Sequence, residues 1–349
     1  MPRIKFADVR LPDPNAPSVF DIEHRLKQHL ISLREKVGKC KPDNQISDRD
    51  RRNIQRKIAA YRDAVSRRSG MGHLADKDRQ RLEVFRHGVE LVQVASEHRA
   101  DEIASAIHSE MPWMAAATEM IWQDMRSSVR NGDLAPRLRP LLLVGPPGIG
   151  KTYWARAFAQ HLMVPTSVIE ATGEPASFSV TGSQRGWGSA GPGKPLESIL
   201  ASGVANPVIV VDEIEKAGTV ESLRGQRFNL SEGLLPFLER STASQWSCPY
   251  FRVSFDMSWI IWIMTANSVD GLPAPFLSRC PPLKIPPLSM EHLLGFADRL
   301  GADRNLPPEA VDAVKEVIEA IKTPQLISLR SVARMLDSVE QAINRPQLH

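Results

Sequence analysis

Residues 141–144 are Leu, Leu, Leu and Val, and they run straight into Gly145, Pro146, Pro147, Gly148, Ile149 and Gly150. From Lys151 and Thr152 a helix-forming run rich in Ala continues to Leu162. An unbroken aliphatic run, a glycine-rich turn and a helix, in that order, make a strand, loop and helix unit of a parallel sheet covered by helices. The spacing of Gly145, Gly150, Lys151 and Thr152 satisfies the pattern G-x-x-x-x-G-K-[ST]. Gly145, Gly148 and Gly150 let backbone amides converge on phosphate oxygens that a Cβ would obstruct. Lys151 is expected to reach the β- and γ-phosphates and Thr152 to offer its hydroxyl to Mg²⁺, while the new helix turns its positive end to the anion.

The pattern beyond this loop alternates strands with helices. Residues 166–171, 208–215 and 260–267 each read as a strand, the second ending in Asp212 and Glu213 and the third in Asn267. Apolar runs without alternation indicate a parallel sheet buried on both faces, and such sheets bind ligands at the carboxyl ends of their strands. Lys151, Asp212, Glu213 and Asn267 all fall at that edge. Asp212 is placed to hold Mg²⁺, usually through water, and Glu213 to orient and deprotonate an attacking water. Asn267 either positions that water or senses the γ-phosphate, or it is a satisfied amide at a strand end.

A chain of 349 residues suggests two or three domains, and 42% hydrophobic with 24% charged residues is ordinary for a globular protein. The longest apolar run, residues 259–264, is far short of the ~20 residues a membrane span needs, so no membrane partner is expected. The N-terminus lacks the apolar core of a signal peptide, and Cys40, Cys248 and Cys280 show no metal spacing and cannot all pair, which fits a reducing, cytoplasmic setting.

Ahead of the loop the sequence reads as helices. Ile22, Leu26, Leu30, Leu33 and Val37 mark one, and Ile54, Ile58, Tyr61 and Val65 a second that runs from near Asp48 to Ser69. A third is expected from about Asp76 to His98, with Leu82, Phe85, Val89 and Val92 inward, and a fourth helix, or a bent pair about Pro112, from Glu102 to Arg130. Residues 1–139 hold 26 Lys and Arg against 20 Asp and Glu, so the basic excess is N-terminal. Arg49, Arg51, Arg52, Arg56 and Lys57 could meet nucleic-acid phosphates, or form the solvated face of an amphipathic helix, the reading favoured in the absence of a reader motif.

The set of loop, Asp212 with Glu213, Asn267, Arg279 and Arg330 resembles the AAA+ ATPases, and within them the ATPase module of Lon proteases. The closer resemblance rests on residues 187–194 (Trp187, Gly191, Pro192, Gly193, Lys194) with 203–216, on 255–258 with 265–267, and on 272–279. It implies an α/β fold: an AAA+ parallel sheet flanked by helices over residues 131–286 and a small C-terminal helical domain over 287–349, behind the N-terminal all-helical domain that the residues themselves suggest over 1–130. It implies ATP and Mg²⁺, held by residues 145–152 with Asp212 and Arg330, and a homo-oligomer, expected to be a hexameric ring. Arg279 matches the arginine finger that reaches a neighbouring subunit's γ-phosphate, and Arg330 the arginine of the small domain that contacts its own subunit's nucleotide. Three helical segments, 288–300, 308–321 and 327–343, support that small domain from the residues alone. Trp187 falls where Lon-like ATPases carry a pore aromatic that grips unfolded polypeptide, although Gly186 precedes it where the family has an aromatic–aliphatic pair; packing beneath a loop is the other reading. Only 19 residues follow Arg330, none of them lysine, so a Ser–Lys peptidase is not expected here. The implied output is remodelling or threading of a protein, with a nucleic-acid motor or a nucleotide-dependent switch on a partner effector as rivals.

Overall fold

The computed structural model describes all residues except 12, 14, 38–45, 173–175, 186–189, 218–219, 222–226, 322, 324–326 and 345–349. The chain opens with β1 (Arg3–Ile4), followed by α1 (Val19–Lys36) and α2 (Asp48–Ser69). Both helices begin on a serine whose hydroxyl accepts an amide of the first turn while a carboxylate three residues on accepts the serine amide, Ser18 with Asp21 and Ser47 with Asp50. These reciprocal bonds satisfy amides that a helix start leaves open. Ile54 and Ile58 are buried, yet α1 buries no residue fully and neither isoleucine joins the two main cores.

The helix expected from Asp76 to His98 ends early. It is α3 (Asp76–Leu82) and a 3-10 turn (Glu83–Phe85), after which β2 (Val89–Glu90) pairs antiparallel with β1. Leu82 and Phe85 are buried as the periodicity requires. Gly88 then turns the chain at φ 74, where a Cβ would stand 2.5 Å from the Ile4 carbonyl oxygen. Beyond it Leu91 N donates to Pro2 O at 2.9 Å and Glu90 N to Gly203 O at 2.8 Å. Pairing with residues far away in sequence overrides the local three-and-four spacing of Val89 and Val92.

The bent pair about Pro112 is α4 (Glu97–Glu110), a 3-10 turn (Pro112–Met114) and α5 (Ala115–Arg130). The α/β region then runs β3 (Leu141–Val144), α6 (Lys151–Leu162), β4 (Thr166–Glu170), α7 (Ala176–Thr181), α8 (Lys194–Ser202), β5 (Val208–Asp212), β6 (Val220–Glu221), β7 (Arg227–Phe228), α9 (Leu230–Leu238), α10 (Arg240–Ala243), β8 (Trp246–Ser247), β9 (Ser254–Phe255), β10 (Ile261–Ala266), α11 (Ala274–Arg279) and β11 (Pro282–Lys284). Five strands form one parallel sheet in the order β11, β3, β10, β5, β4. Successive side chains of a strand face opposite sides, so an uninterrupted apolar run feeds two cores. In β10, Ile261 and Ile263 pack with Trp154 and Phe158 of α6 on one face. Trp262, Met264 and Ala266 pack on the other with Leu196 and Ile199 of α8, Leu234 and Phe237 of α9, and Phe6 and Phe255.

The chain closes with α12 (Met290–Asp303), α13 (Pro308–Glu319) and α14 (Leu329–Ile343), the three helices expected there. Leu293, Val314, Ile318, Val332 and Leu336 face one another and join the core that holds α4, α5 and α6. Among the described residues no helix is long and apolar enough to cross a membrane.

Candidate active site

Because β10 lies between β3 and β5, the ends of these three strands stand side by side. The loop after β3, the Asp212 end of β5 and Asn267 after β10 therefore meet at one edge of the sheet, where open parallel sheets take their ligands.

The loop is anchored at its carbonyls. Gly148 O accepts Leu329 N at 3.0 Å, at the start of α14, and Ile149 O accepts the indole Nε1 of Trp113 at 2.8 Å. Gly145 N donates to Ala266 O at 3.2 Å, joining the loop's first residue to β10. Gly148 and Gly150 have φ of 76 and 89; a Cβ on the first would meet Ser328 Cβ at 2.5 Å, and on the second Met111 Cε at 2.7 Å. Among the described residues, no protein acceptor takes the amides from Gly148 to Thr152. Carbonyls held from outside and amides left over, at the start of α6, make a cradle for an anion.

Lys151 is only 8% exposed. Its ammonium donates to Gly145 O at 2.7 Å, Pro146 O at 3.0 Å and Asn267 Oδ1 at 3.1 Å, all of them uncharged. Burial pushes its pKa below the ordinary lysine value, against the opposing charges of Glu215, Asp212 and Glu213. A buried cation with neutral acceptors around it is completed by an anionic ligand.

Thr152 Oγ1 donates to Asp212 Oδ1 at 2.7 Å, and the buried hydroxyl of Thr265 in β10 donates to the same oxygen. Thr265 Oγ1 in turn accepts Glu213 N at 3.1 Å. A hydroxyl and a carboxylate brought together in this way are oxygen donors suited to a hard divalent cation. Glu213 itself sits at φ 55 and ψ 48, a left-handed conformation uncommon for a residue with a side chain. Its carboxylate accepts Lys216 Nζ at 2.8 Å, a contact that raises the Lys216 pKa.

The two arginines lie outside this cluster. Arg279 Nε is 2.6 Å from Glu239 Oε1, and its Nη1 donates to Pro275 O at 3.1 Å. Arg330 is exposed and directly follows Leu329, whose amide holds Gly148 O. Trp187 lies outside the described residues. On the near side of its segment, Arg185 Nη2 is 2.6 Å from Asp78 Oδ2 in α3, and Tyr250 Oη donates to Asp78 Oδ1 at 3.1 Å.

Four contributors escaped the sequence reading: Thr265, Glu215, Trp113 and the Leu329 amide. For Thr265 a signal exists, because a hydroxyl inside a buried aliphatic strand must find a partner. Trp113 and Leu329 act on the loop from 36 positions before Ile149 and from the far end of the chain, and nothing local marks them.

Comparison with known proteins agrees with this geometry. Residues 141–285 match the family model described as ATPase family associated with various cellular activities (AAA). Lon protease 2 of Sorangium cellulosum (strain So ce56) is 25% identical over 296 residues, which cover 79% of this chain and 34% of that protein. Lon protease of Metamycoplasma arthritidis (strain 158L3-1) is 31% identical over 211 residues, 58% of this chain and 25% of that one. The peroxisomal Lon protease homolog 2 of Arabidopsis thaliana is 24% identical over 334 residues, 89% of this chain and 35% of that protein. The chain thus spans no more than 35% of the length of these relatives. With the cradle, the Asp212 cluster and the family match in agreement, the α/β region of this chain is an AAA ATPase domain, related to the ATPase modules of Lon proteases.

Proposed function

We propose that the chain hydrolyses ATP by in-line attack of water and that the hydrolysis drives remodelling or threading of a protein in the cytoplasm. The observation that carries this reading is the junction of Lys151, Thr152, Asp212 and Asn267 at the edge of the sheet. The amides from Gly148 to Thr152 bind the phosphates and Lys151 supplies the buried charge. Thr152 and Asp212 would hold Mg²⁺, which supplies charge neutralisation at phosphate oxygens. Glu213 takes the proton of the attacking water, and Asn267 helps position that water.

In this reading the active unit is a homo-oligomeric ring, a hexamer by analogy with the resemblance. Arg279 serves the neighbour's nucleotide, Arg330 its own, and Trp187 contacts the threaded protein. Support for the division between the arginines comes from their contacts: among the described residues Arg279 is ion-paired with Glu239 and donates to Pro275 O and bonds to none of residues 145–152, whereas Arg330 adjoins Leu329, which does bond to that loop. No peptidase chemistry is assigned to the residues of this chain. The test is a pair of variants. Glu213→Gln should retain ATP and stop turnover, and Lys151→Ala should lose ATP binding as well. Normal hydrolysis by Glu213→Gln removes this carboxylate from the mechanism.

A second reading, a nucleic-acid motor, has one observation in its favour. The exposed Arg49, Arg52, Arg56, Arg62 and Arg67 of α2 make no ion pair among the described residues, where Asp50 is engaged by Arg34. Salt-dependent binding of DNA or RNA that is lost in Arg52→Glu/Arg56→Glu would favour it.

A further inference from the structure

Glu215 has no part in the reaction described above, yet it touches the residue that links Lys151 to β10. It sits in the 3-10 turn Ile214–Lys216 that follows Glu213. Its Oε1 accepts the backbone N–H of Asn267 at 2.9 Å and the side-chain Nδ2 of the same residue at 2.9 Å. One carboxylate oxygen thereby holds both the chain and the amide of Asn267. With Nδ2 engaged, Oδ1 is the atom left to face the Lys151 ammonium, and it accepts Nζ at 3.1 Å.

The orientation of an asparagine amide is set by its partners, because its oxygen and nitrogen have nearly the same shape and opposite hydrogen-bonding character. Rotated by a half turn, the Asn267 amide would present N–H₂ to an ammonium and oxygen to a carboxylate, two repulsive contacts in place of two attractive ones. Glu215 thus selects the sense of the amide by offering an acceptor and no donor. Its second oxygen, Oε2, is buried without a partner among the described residues. A buried, unpaired carboxylate oxygen costs free energy, so packing alone would favour an apolar side chain at this position.

We propose that Glu215 is a positioning residue of the ATP site: it fixes the Asn267 amide, and through Oδ1 it aims the Lys151 ammonium. This rests on the ATPase reading above. It assigns Glu215 no contact with nucleotide, so its removal should be felt in turnover and chiefly through Asn267.

The experiment is a double-mutant cycle on the full chain, with kcat and KM for ATP measured for Glu215→Ala, Asn267→Ala and the double variant. Glu215→Ala should lower kcat by up to about a hundredfold, the scale of a misplaced group, and leave KM within about threefold. The double variant should be no slower than Asn267→Ala alone, since the two act as one unit. Glu215→Gln, which keeps an acceptor oxygen, should recover most of the rate. A second readout needs no nucleotide: the Asn267 backbone amide should exchange hydrogen faster in Glu215→Ala than in the unaltered chain. Should Glu215→Ala fail to fold, Glu215→Met carries the same comparison at similar side-chain length. Additive losses in the cycle, or unchanged exchange at Asn267, overturn the proposal. If the unaltered chain hydrolyses no ATP, the ATPase reading fails, and the exchange measurement still decides whether Glu215 holds Asn267.

Discussion

Replacing Trp113 by phenylalanine isolates one atom of the site. Trp113 is 4% exposed and its Nε1 is the donor that holds Ile149 O at 2.8 Å. Its ring lies 5.5 Å from that of His292 and 6.5 Å from that of Phe296. Trp113→Phe keeps an aromatic ring against α12 but removes the donor, leaving a buried carbonyl unsatisfied at a cost of about 1–3 kcal/mol. The smaller ring adds roughly 1 kcal/mol for the space it leaves. The total, about 2–4 kcal/mol, should appear as a lower urea midpoint at an unchanged m-value. Because Ile149 belongs to the cradle, ATP affinity measured by calorimetry should fall with it. The control is Trp122→Phe. Its Nε1 donates to Asp101 Oδ1, but that carboxylate is 40% exposed and keeps Arg126 at 2.7 Å, so the loss should stay below about 1 kcal/mol. Equal losses in the two variants, or none in Trp113→Phe, would refute the anchoring argument.

Arg279→Ala should bind ATP nearly normally and hydrolyse it about 10³-fold or more slowly, and mixing it with Lys151→Ala should restore activity above either variant alone. If subunits exchange and no mixing ratio gives that gain, the arginine does not act across an interface. Trp187→Ala should keep basal ATPase activity and assembly while losing unfolding of a protein substrate; an intact unfolding activity would return Trp187 to a packing role. Leu336→Ala, at a fully buried position of α14, should cost about 2–5 kcal/mol in urea denaturation, and a cost under about 1 would show that the surrounding core collapses around the gap.

The sequence carried the strands and the loop because their signals are local. An aliphatic run, glycines at fixed offsets and carboxylates at a strand end need no knowledge of distant residues. The same holds for the existence of α1 and α2, which form where the apolar spacing put them, although of that spacing only Ile54 and Ile58 are buried and Leu33, Tyr61 and Val65 are exposed. The segment after Leu82 misled for the converse reason. Leu82, Phe85, Val89 and Val92 keep a helical spacing, and what breaks it is the close approach of Ile4 to Gly88, a contact across most of the N-terminal region. The site divides in the same way. Lys151, Thr152, Asp212 and Asn267 are marked by neighbours in sequence, whereas Trp113, Thr265, Glu215 and Leu329 are recruited by the fold: Thr265 and Glu215 find their partners once β5 and β10 lie side by side, and Trp113 and Leu329 once the turn after α4 and the start of α14 close on the loop.

The order of strands also sets a schedule for synthesis. The two neighbours of β3 are β10 and β11, which begin at residues 261 and 282, so the strand that leads into the cradle emerges long before anything it can pair with. At the usual ~5–20 residues per second, the ribosome adds the stretch between β3 and β10 in roughly 6–24 s. Throughout that interval Leu141, Leu142 and Leu143 are an unpaired aliphatic segment in a nascent chain, the kind of surface that draws chaperones or aggregates. β4 and β5 can meet earlier, but they form the far edge of the sheet and lack the loop. Gly145 N finds its acceptor only when Ala266 has been made, and Gly148 O only when Leu329 has. A nascent chain stalled before residue 261 should therefore retain no ATP, and nucleotide should act on this protein as a selector of finished domains rather than as a template for folding.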